Sequence, residues 1–146
     1  MDRAKRVVGY LSKMKEGGIR YRTDLPDYSE VVTPKYDWTD TVYGEIIEII
    51  PKDIPVPLGK PIILTHYFDA NLYHDGITGR SVTGILHVIN RTPIDWHAKK
   101  QPTVETTTYG SEFVAGRTCV DQIADLRDIF RYLGVPIIKS YMFGDN

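Results

Sequence analysis

A chain of 146 residues has the length of one domain, and its 42% apolar and 25% charged residues match globular rather than disordered or fibrous chains. Net charge −1 excludes a uniformly basic nucleic-acid binder, yet the charge is uneven: residues 1–22 carry seven Lys/Arg against two Asp/Glu (+5), residues 23–60 three against eight (−5), and residues 61–146 eight against nine (−1). One cysteine, Cys119, excludes an intrachain disulfide, no Cys/His spacing suggests zinc, and no apolar run exceeds four residues. These features predict a soluble protein of a reducing intracellular compartment, cytoplasmic or nuclear and not secreted.

The opening stretch places Ala4, Val8, Leu11 and Met14 at helical spacing with Lys5, Arg6, Lys13 and Lys15 off that stripe, and Gly17-Gly18 ends it. This predicts a basic amphipathic helix within a first segment, 1–22, whose Ile19 to Arg22 has the composition of a short strand. Residues 23–60 read as an irregular connector, with a brief patch Ile46-Ile47-Ile49-Ile50 and then Pro51, Pro55 and Pro57. The third segment, 61–146, changes to β-type runs. Ile62 to Phe68 is rich in β-branched and aromatic residues and gives way to a polar loop, Asp69 to Gly79. A second run, Ser81 to Ile89, a turn Asn90-Arg91-Thr92-Pro93 and a third run, Ile94 to His97, predict an antiparallel meander. Over 111–133, Cys119, Ile123, Leu126, Phe130 and Leu133 recur at alternating steps of four and three, the mark of a helix with one buried stripe that Gly134 and Pro136 stop. A last run, Ile137 to Phe143, follows.

A strand, a helix and another strand usually form a right-handed crossover between parallel strands. The first and last runs are therefore predicted to pair in parallel, about 4.8 Å apart, with Asp69 following one and Asp145 nearly following the other. Glu112 stands seven residues before Cys119 and shares its inward stripe. A carboxylate near a helix N-terminus is favoured by the macrodipole alone, but that does not explain an inward direction. Three converging carboxylates repel unless a cation neutralises them, and hard oxygen ligands suit magnesium, two ions of which can activate water in phosphodiester hydrolysis.

The segments Tyr67-Phe68-Asp69-Ala70-Asn71, Gly79 to Gly84, Ile94 to Val104 with Trp96 and Lys99-Lys100-Gln101, Thr107 to Ala115, and Gly144-Asp145-Asn146 together resemble the ribonuclease H domain of copia-type retrotransposon polyproteins, in order and in spacing. The likeness covers about residues 61–146, and Ala4 to Leu11 resembles the segment linking the polymerase to this domain. The resemblance implies an α/β, ribonuclease H-like fold: a mixed sheet of a three-strand meander plus one parallel strand after a crossover helix. It also implies a site of two magnesium ions, with manganese a possible substitute, and cleavage of the RNA strand of an RNA/DNA hybrid. The catalytic and metal-binding carboxylates would be Asp69, Glu112 and Asp145, and the partners the hybrid and the polymerase region of the same polyprotein. Gly110 replaces the first Glu of the family's helix start, while the catalytic second Glu is kept as Glu112. The family's further helices, fifth strand and fourth metal-site residue have no counterpart in the sequence, so the expectation is a C-terminally truncated domain of impaired activity.

Arg80, Lys99 and Lys100 are candidates for phosphate contact, though exposed turn lysines are more often simply solvated. Trp96 and Tyr109 have the chemistry to stack on bases, with core packing expected for Trp96. His66, His74, His87 and His97 lack metal-ligand spacing, His74-Asp75 reads as a surface turn, and Cys119 reads as a core thiol. A metal-dependent ribonuclease thus stands beside two alternatives: a catalytically inactive remnant or nucleic-acid-binding module with the same fold, and another nuclease or integrase built on a carboxylate trio.

Overall fold

The computed structural model describes residues 2–33, 36–42, 44 and 47–145, with the backbone alone for residues 2–4. Two helices and four strands follow in the order α1 (Asp2–Lys13), β1 (Ile62–Asn71), β2 (Val82–Ile89), β3 (Thr92–Lys100), α2 (Thr108–Tyr132) and β4 (Ile137–Gly144). The strands form one mixed sheet, β3-β2-β1-β4, with β1 antiparallel to β2, β2 antiparallel to β3, and β1 parallel to β4. The predicted meander and crossover are therefore present. Among the described residues no helix is long and apolar enough to cross a membrane.

Several boundaries differ from the sequence expectation. β1 continues through Asp69, Ala70 and Asn71, so Asp69 lies inside the strand rather than after it. The β2–β3 turn is only Asn90-Arg91, with Asn90 at φ +53°, and Pro93 sits within β3 opposite Val88 at a bulge. An edge strand tolerates Pro there because only one of its sides is paired. Trp96 is 65% exposed rather than part of the core, because β3 is that edge strand and Trp96 points away from α2. Ile19 to Arg22 forms no strand; its place is taken by paired bonds in which the Arg22 N–H donates to Thr92 Oγ1 and the Thr92 hydroxyl donates to the Arg22 carbonyl.

α2 begins where Thr107 accepts the Gly110 N–H at 3.0 Å, an N-cap. Ser111, Ala115 and Cys119 are its fully buried positions, and their small size lets the helix axis approach the sheet closely. The stripe read from the sequence holds at Cys119, weakens through half-buried Ile123, Leu126 and Phe130, and fails at Leu133, which is 68% exposed as the C-cap. Gly134, at φ +69°, then takes the left-handed position that ends the helix.

α1 touches no other element, and its Val8, Leu11 and Met14 are exposed; the side chain of Ala4, like Ile46 and Asn146, lies outside the described residues. The connector has no helix or strand among its described residues but is fastened at both ends. Asn90 Nδ2 donates to the Thr23 carbonyl, Arg91 pairs with Asp24, and Glu48 accepts from both Arg127 and Arg131 on α2. Those two guanidiniums hold the Glu48 carboxyl down at about 2.

Between sheet and helix the core is polar. His66 Nδ1 and His87 Nδ1 lie 2.7 Å apart, His87 Nε2 reaches Gln122 Oε1 at 2.9 Å, and both rings are buried. Burial, with His87 and Arg127 nearby, lowers His66 to about 4. The unfolded chain takes up this proton near pH 6.5 and the folded chain only near 4. The contribution of the neutral ring is therefore complete above about pH 6.5 and lost as pH falls towards 4. Urea unfolding should show up to about 3 kcal/mol of stability disappearing across that window, and His66→Gln should flatten the slope; an equal slope in the variant would assign the loss to other groups.

Candidate functional site

The parallel register runs from Ile62↔Ile137 to Phe68↔Gly144, so the next residues, Asp69 and Asp145, are neighbours at the C-terminal end of the two strands. Both are exposed. Glu112, one turn into α2, reaches the same end from the helix: its Oε1 accepts the Ala70 N–H at 3.2 Å, while its Oε2 is buried without a partner. Burial raises the pKa of Glu112; the Ala70 N–H opposes that shift, and the charges of Asp69 and Asp145 add to it. The three carboxylates picked out by the sequence are thus within electrostatic reach of one another.

They are not gathered into one cup. Glu112 and Asp145 line a cavity of about 430 Å³ between α2 and β4, floored by Phe68, Met142 and Gly144 and walled by Phe113 and Arg117. Asp69 lines a shallower hollow of about 320 Å³ with Gly84, Trp96 and Ala98. Strand alternation explains the split, since Phe68 and Ala70 turn towards α2 and Asp69 between them turns away. Among the described residues no group of three or more His, Cys, Asp or Glu forms a ready set of metal ligands. The donor chemistry nonetheless fits a hard divalent cation: three carboxylates, one with an orphaned buried oxygen and a pKa raised by its burial and its neighbours.

The candidate phosphate-contacting residues do come together. Arg80, Lys99 and Lys100 line a cleft of about 410 Å³ on the opposite flank of α2, beside His97, Gln101, Val114 and Thr118. They are not equally available. Lys100 Nζ pairs with Asp75 Oδ2 at 2.6 Å, and Asp75 also accepts from Thr78 and the Ile77 N–H. That lysine bond, with the two others, holds the Asp75 carboxyl well below the usual range. Gln101 is a residue whose role sequence reasoning missed: its side-chain amide, buried, donates to the Ser111 carbonyl at 2.8 Å and Thr83 Oγ1 at 3.1 Å, tying the start of α2 to β2. Nothing in the local pattern signals that a Gln after two lysines turns inward.

Tyr109 is 80% exposed on the first turn of α2, beside the carboxylates and free of core duty. Among the described residues His74 meets Asn71 alone, as in a surface loop, whereas Asp75 both closes its own turn and anchors it to β3 through Lys100. Cys119 is a buried thiol, pushed up to about 11 by desolvation, and has no nucleophilic character. At Gly110 an added Cβ would lie 2.7 Å from Glu105 Oε2, the mobile end of a side chain that would have to swing aside. Comparison with protein-family models, with curated proteins and with solved structures returned no match.

The approach of β4 to β1 at the carboxylate end depends on Gly144, because a Cβ there would lie 2.5 Å from Phe68 Cζ. Gly144→Ala should cost about 1–3 kcal/mol by overpacking. Denaturant unfolding of Phe68→Leu and of the double variant completes a cycle: recovery in the double variant places the strain at this contact, and simple additivity would place it elsewhere.

Proposed function

We propose that the chain is a ribonuclease H-like domain of a copia-type retrotransposon polyprotein that hydrolyses the RNA strand of RNA/DNA hybrids with magnesium. The observation that carries this reading is the placement of Asp69, Glu112 and Asp145 at one end of a parallel strand pair, close enough for the aspartates to act on the Glu112 carboxyl. The order and spacing of the sequence segments around them support it.

Magnesium, held by these three residues, would supply an activated water and stabilisation of the leaving oxygen. The chain's own contribution is placement. β1 and β4 bring Asp69 and Asp145 side by side, the Ala70 N–H orients Glu112 Oε1, and Phe68 and Phe113 give the Glu112–Asp145 cavity an apolar wall. Arg80 and Lys99 supply positive charge for the phosphates of a duplex, while Lys100 is already engaged by Asp75. A second reading, a nucleic-acid-binding module without catalysis, is favoured by the same cationic cleft and by the separation of Asp69 from the cavity that holds the other two carboxylates.

Magnesium-dependent cleavage of a labelled RNA/DNA hybrid distinguishes the two. The wild-type chain should cleave and Asp69→Asn should not, with the far-ultraviolet circular dichroism unchanged; equal activity in a clean Asp69→Asn preparation rejects the assigned site, and hybrid binding without cleavage selects the second reading. In a salt titration of hybrid affinity, Arg80→Ala and Lys99→Ala should each reduce the slope by about one, and Lys100→Ala by less because of its Asp75 partner. Equal effects at Lys99 and Lys100 would show that the Asp75 pair opens at no cost.

A further inference from the structure

β4 is an edge strand, so among the described residues its backbone pairs on the β1 side alone, and its last residue precedes Asp145. The position of Asp145 therefore depends on what packs against the end of β4 from above and below. On the α2 side, the Phe68 ring closes over Gly144. On the other face lies a row of rings. Tyr141 and Phe143 stack at 6.2 Å with 7° between planes, and Phe143 stacks on Tyr67 of β1 at 5.5 Å and 22°. Asp69 follows Tyr67 by two residues on the same side of β1, and Asp145 comes directly after the end of β4, two residues past Phe143 in sequence, lining the cavity on the α2 side.

The connector contributes one ring to this row. Tyr28 lies 4.7 Å from the Tyr141 ring and 5.6 Å from the Phe143 ring, and its hydroxyl meets buried Thr65 Oγ1 at 3.0 Å. It is held in a turn in which Asp27 accepts the Ser29 N–H and the Tyr28 carbonyl accepts the Val31 N–H. Upstream, the start of the connector and the residue before it are tied to the β2–β3 hairpin through Thr23, Asp24 and Arg22. A segment read from sequence as irregular thus places an aromatic side chain, Tyr28, against the two rings that lead to Asp145.

We infer that Tyr28 is a positioning residue: it clamps the C-terminal end of β4 and so fixes the backbone that carries Asp145 next to Asp69. Its bearing on metal binding rests on the carboxylate reading given above. The clamp itself does not, because it is a property of the strand.

The test uses the full chain as wild type, Tyr28→Ala, Tyr28→Phe, Asp24→Asn and Asp69→Asn. Amide hydrogen exchange should rise about tenfold or more at Phe143 to Asp145 in Tyr28→Ala, since two ring contacts are lost, with β2 and β3 unchanged. Tyr28→Phe, which keeps the ring, should recover most of that protection. Asp24→Asn, which loosens the connector away from the rings, should leave it in place. Unchanged exchange at 143–145, or a rise spread equally over the whole sheet, overturns the clamp. The second readout is Mn²⁺ affinity, from the free-ion electron paramagnetic resonance signal: Tyr28→Ala should weaken it about tenfold, as loss of outer supporting contacts does, and Tyr28→Phe should restore it. Local exchange that rises while Mn²⁺ affinity stays at the wild-type value overturns the positioning role. Mn²⁺ affinity that is indifferent to Asp69→Asn overturns the carboxylate site instead, leaving the exchange result to decide the clamp.

Discussion

The parallel pairing of β1 with β4 is the constraint on which everything else in this molecule depends. Two parallel strands cannot be joined by a tight turn, so the chain between β3 and β4 must travel back along the sheet, and α2 is the segment that does so. That return path fixes which face is covered, and it brings Glu112, near the start of the helix, over the same end at which the paired strands stop. The proposed site is therefore a product of topology: three residues separated by dozens of positions are brought to one end of the sheet by the parallel pairing and the helix that returns to it. Small residues at Ser111, Ala115 and Cys119 make the closure tight.

One helix packed on one four-stranded sheet, with the described part of residues 1–61 contributing no strand, leaves little apolar interior. Among the described residues the buried apolar ones are Leu64, Ala70, Ile85, Ala115 and Cys119, and the largest fully buried side chains beside Leu64 are His66, His87 and Gln101. A polar interior is stable only when its groups are mutually bonded. The His66–His87–Gln122 chain and the two bonds from Gln101 meet most of that need, while His66 Nε2 and Gln101 Oε1 remain without partners. The consequence is directional. Hydrogen bonds fix relative positions more sharply than apolar contact does, so the arrangement holds β1, β2 and α2 in one alignment, at some loss of acid stability. The connector compensates from outside, with Glu48 bridging two arginines of α2 and Tyr28 covering part of the second sheet face.

The sequence was legible where one residue type answers to one local rule. The helical stripe around Cys119, the Gly134 stop and the strand-rich stretch from Ile62 to Ile89 follow from periodicity and turn chemistry, and the parallel pair follows from the handedness of crossovers. Failures occurred where tertiary contacts override those rules. Pro93 suggested a longer turn, but an edge strand has a side on which a missing N–H is harmless. Trp96 suggested core, but its strand is an edge and its face is open. Tyr28 stands in a segment with no periodicity, and the rings it meets are more than a hundred residues away in the chain, so nothing local could reveal it. The carboxylate trio was legible as a neighbourhood, because topology sets which strand ends meet; the turn of Asp69 to the far side of β1 was not, because it depends on the strand continuing past Phe68.

That last difference bears on how the proposed site would work. Three carboxylates brought together repel one another, and besides the Arg117 charge in the cavity wall the chain meets this in two ways at once. Glu112 is partly withdrawn into the protein, where burial and its neighbours favour its protonated form, and Asp69 lies on the opposite side of β1 from the cavity shared by Glu112 and Asp145. A divalent cation would reverse both tendencies, because it lowers the pKa of every carboxylate it touches and draws separated oxygens towards a common centre. What the fold must then provide is strand ends held firmly enough that small side-chain movements suffice. The Phe68 ring over Gly144 and the aromatic row beneath Phe143 are placed to provide it, and they meet at an edge strand, where hydrogen bonding from one side alone would leave the backbone freer to move.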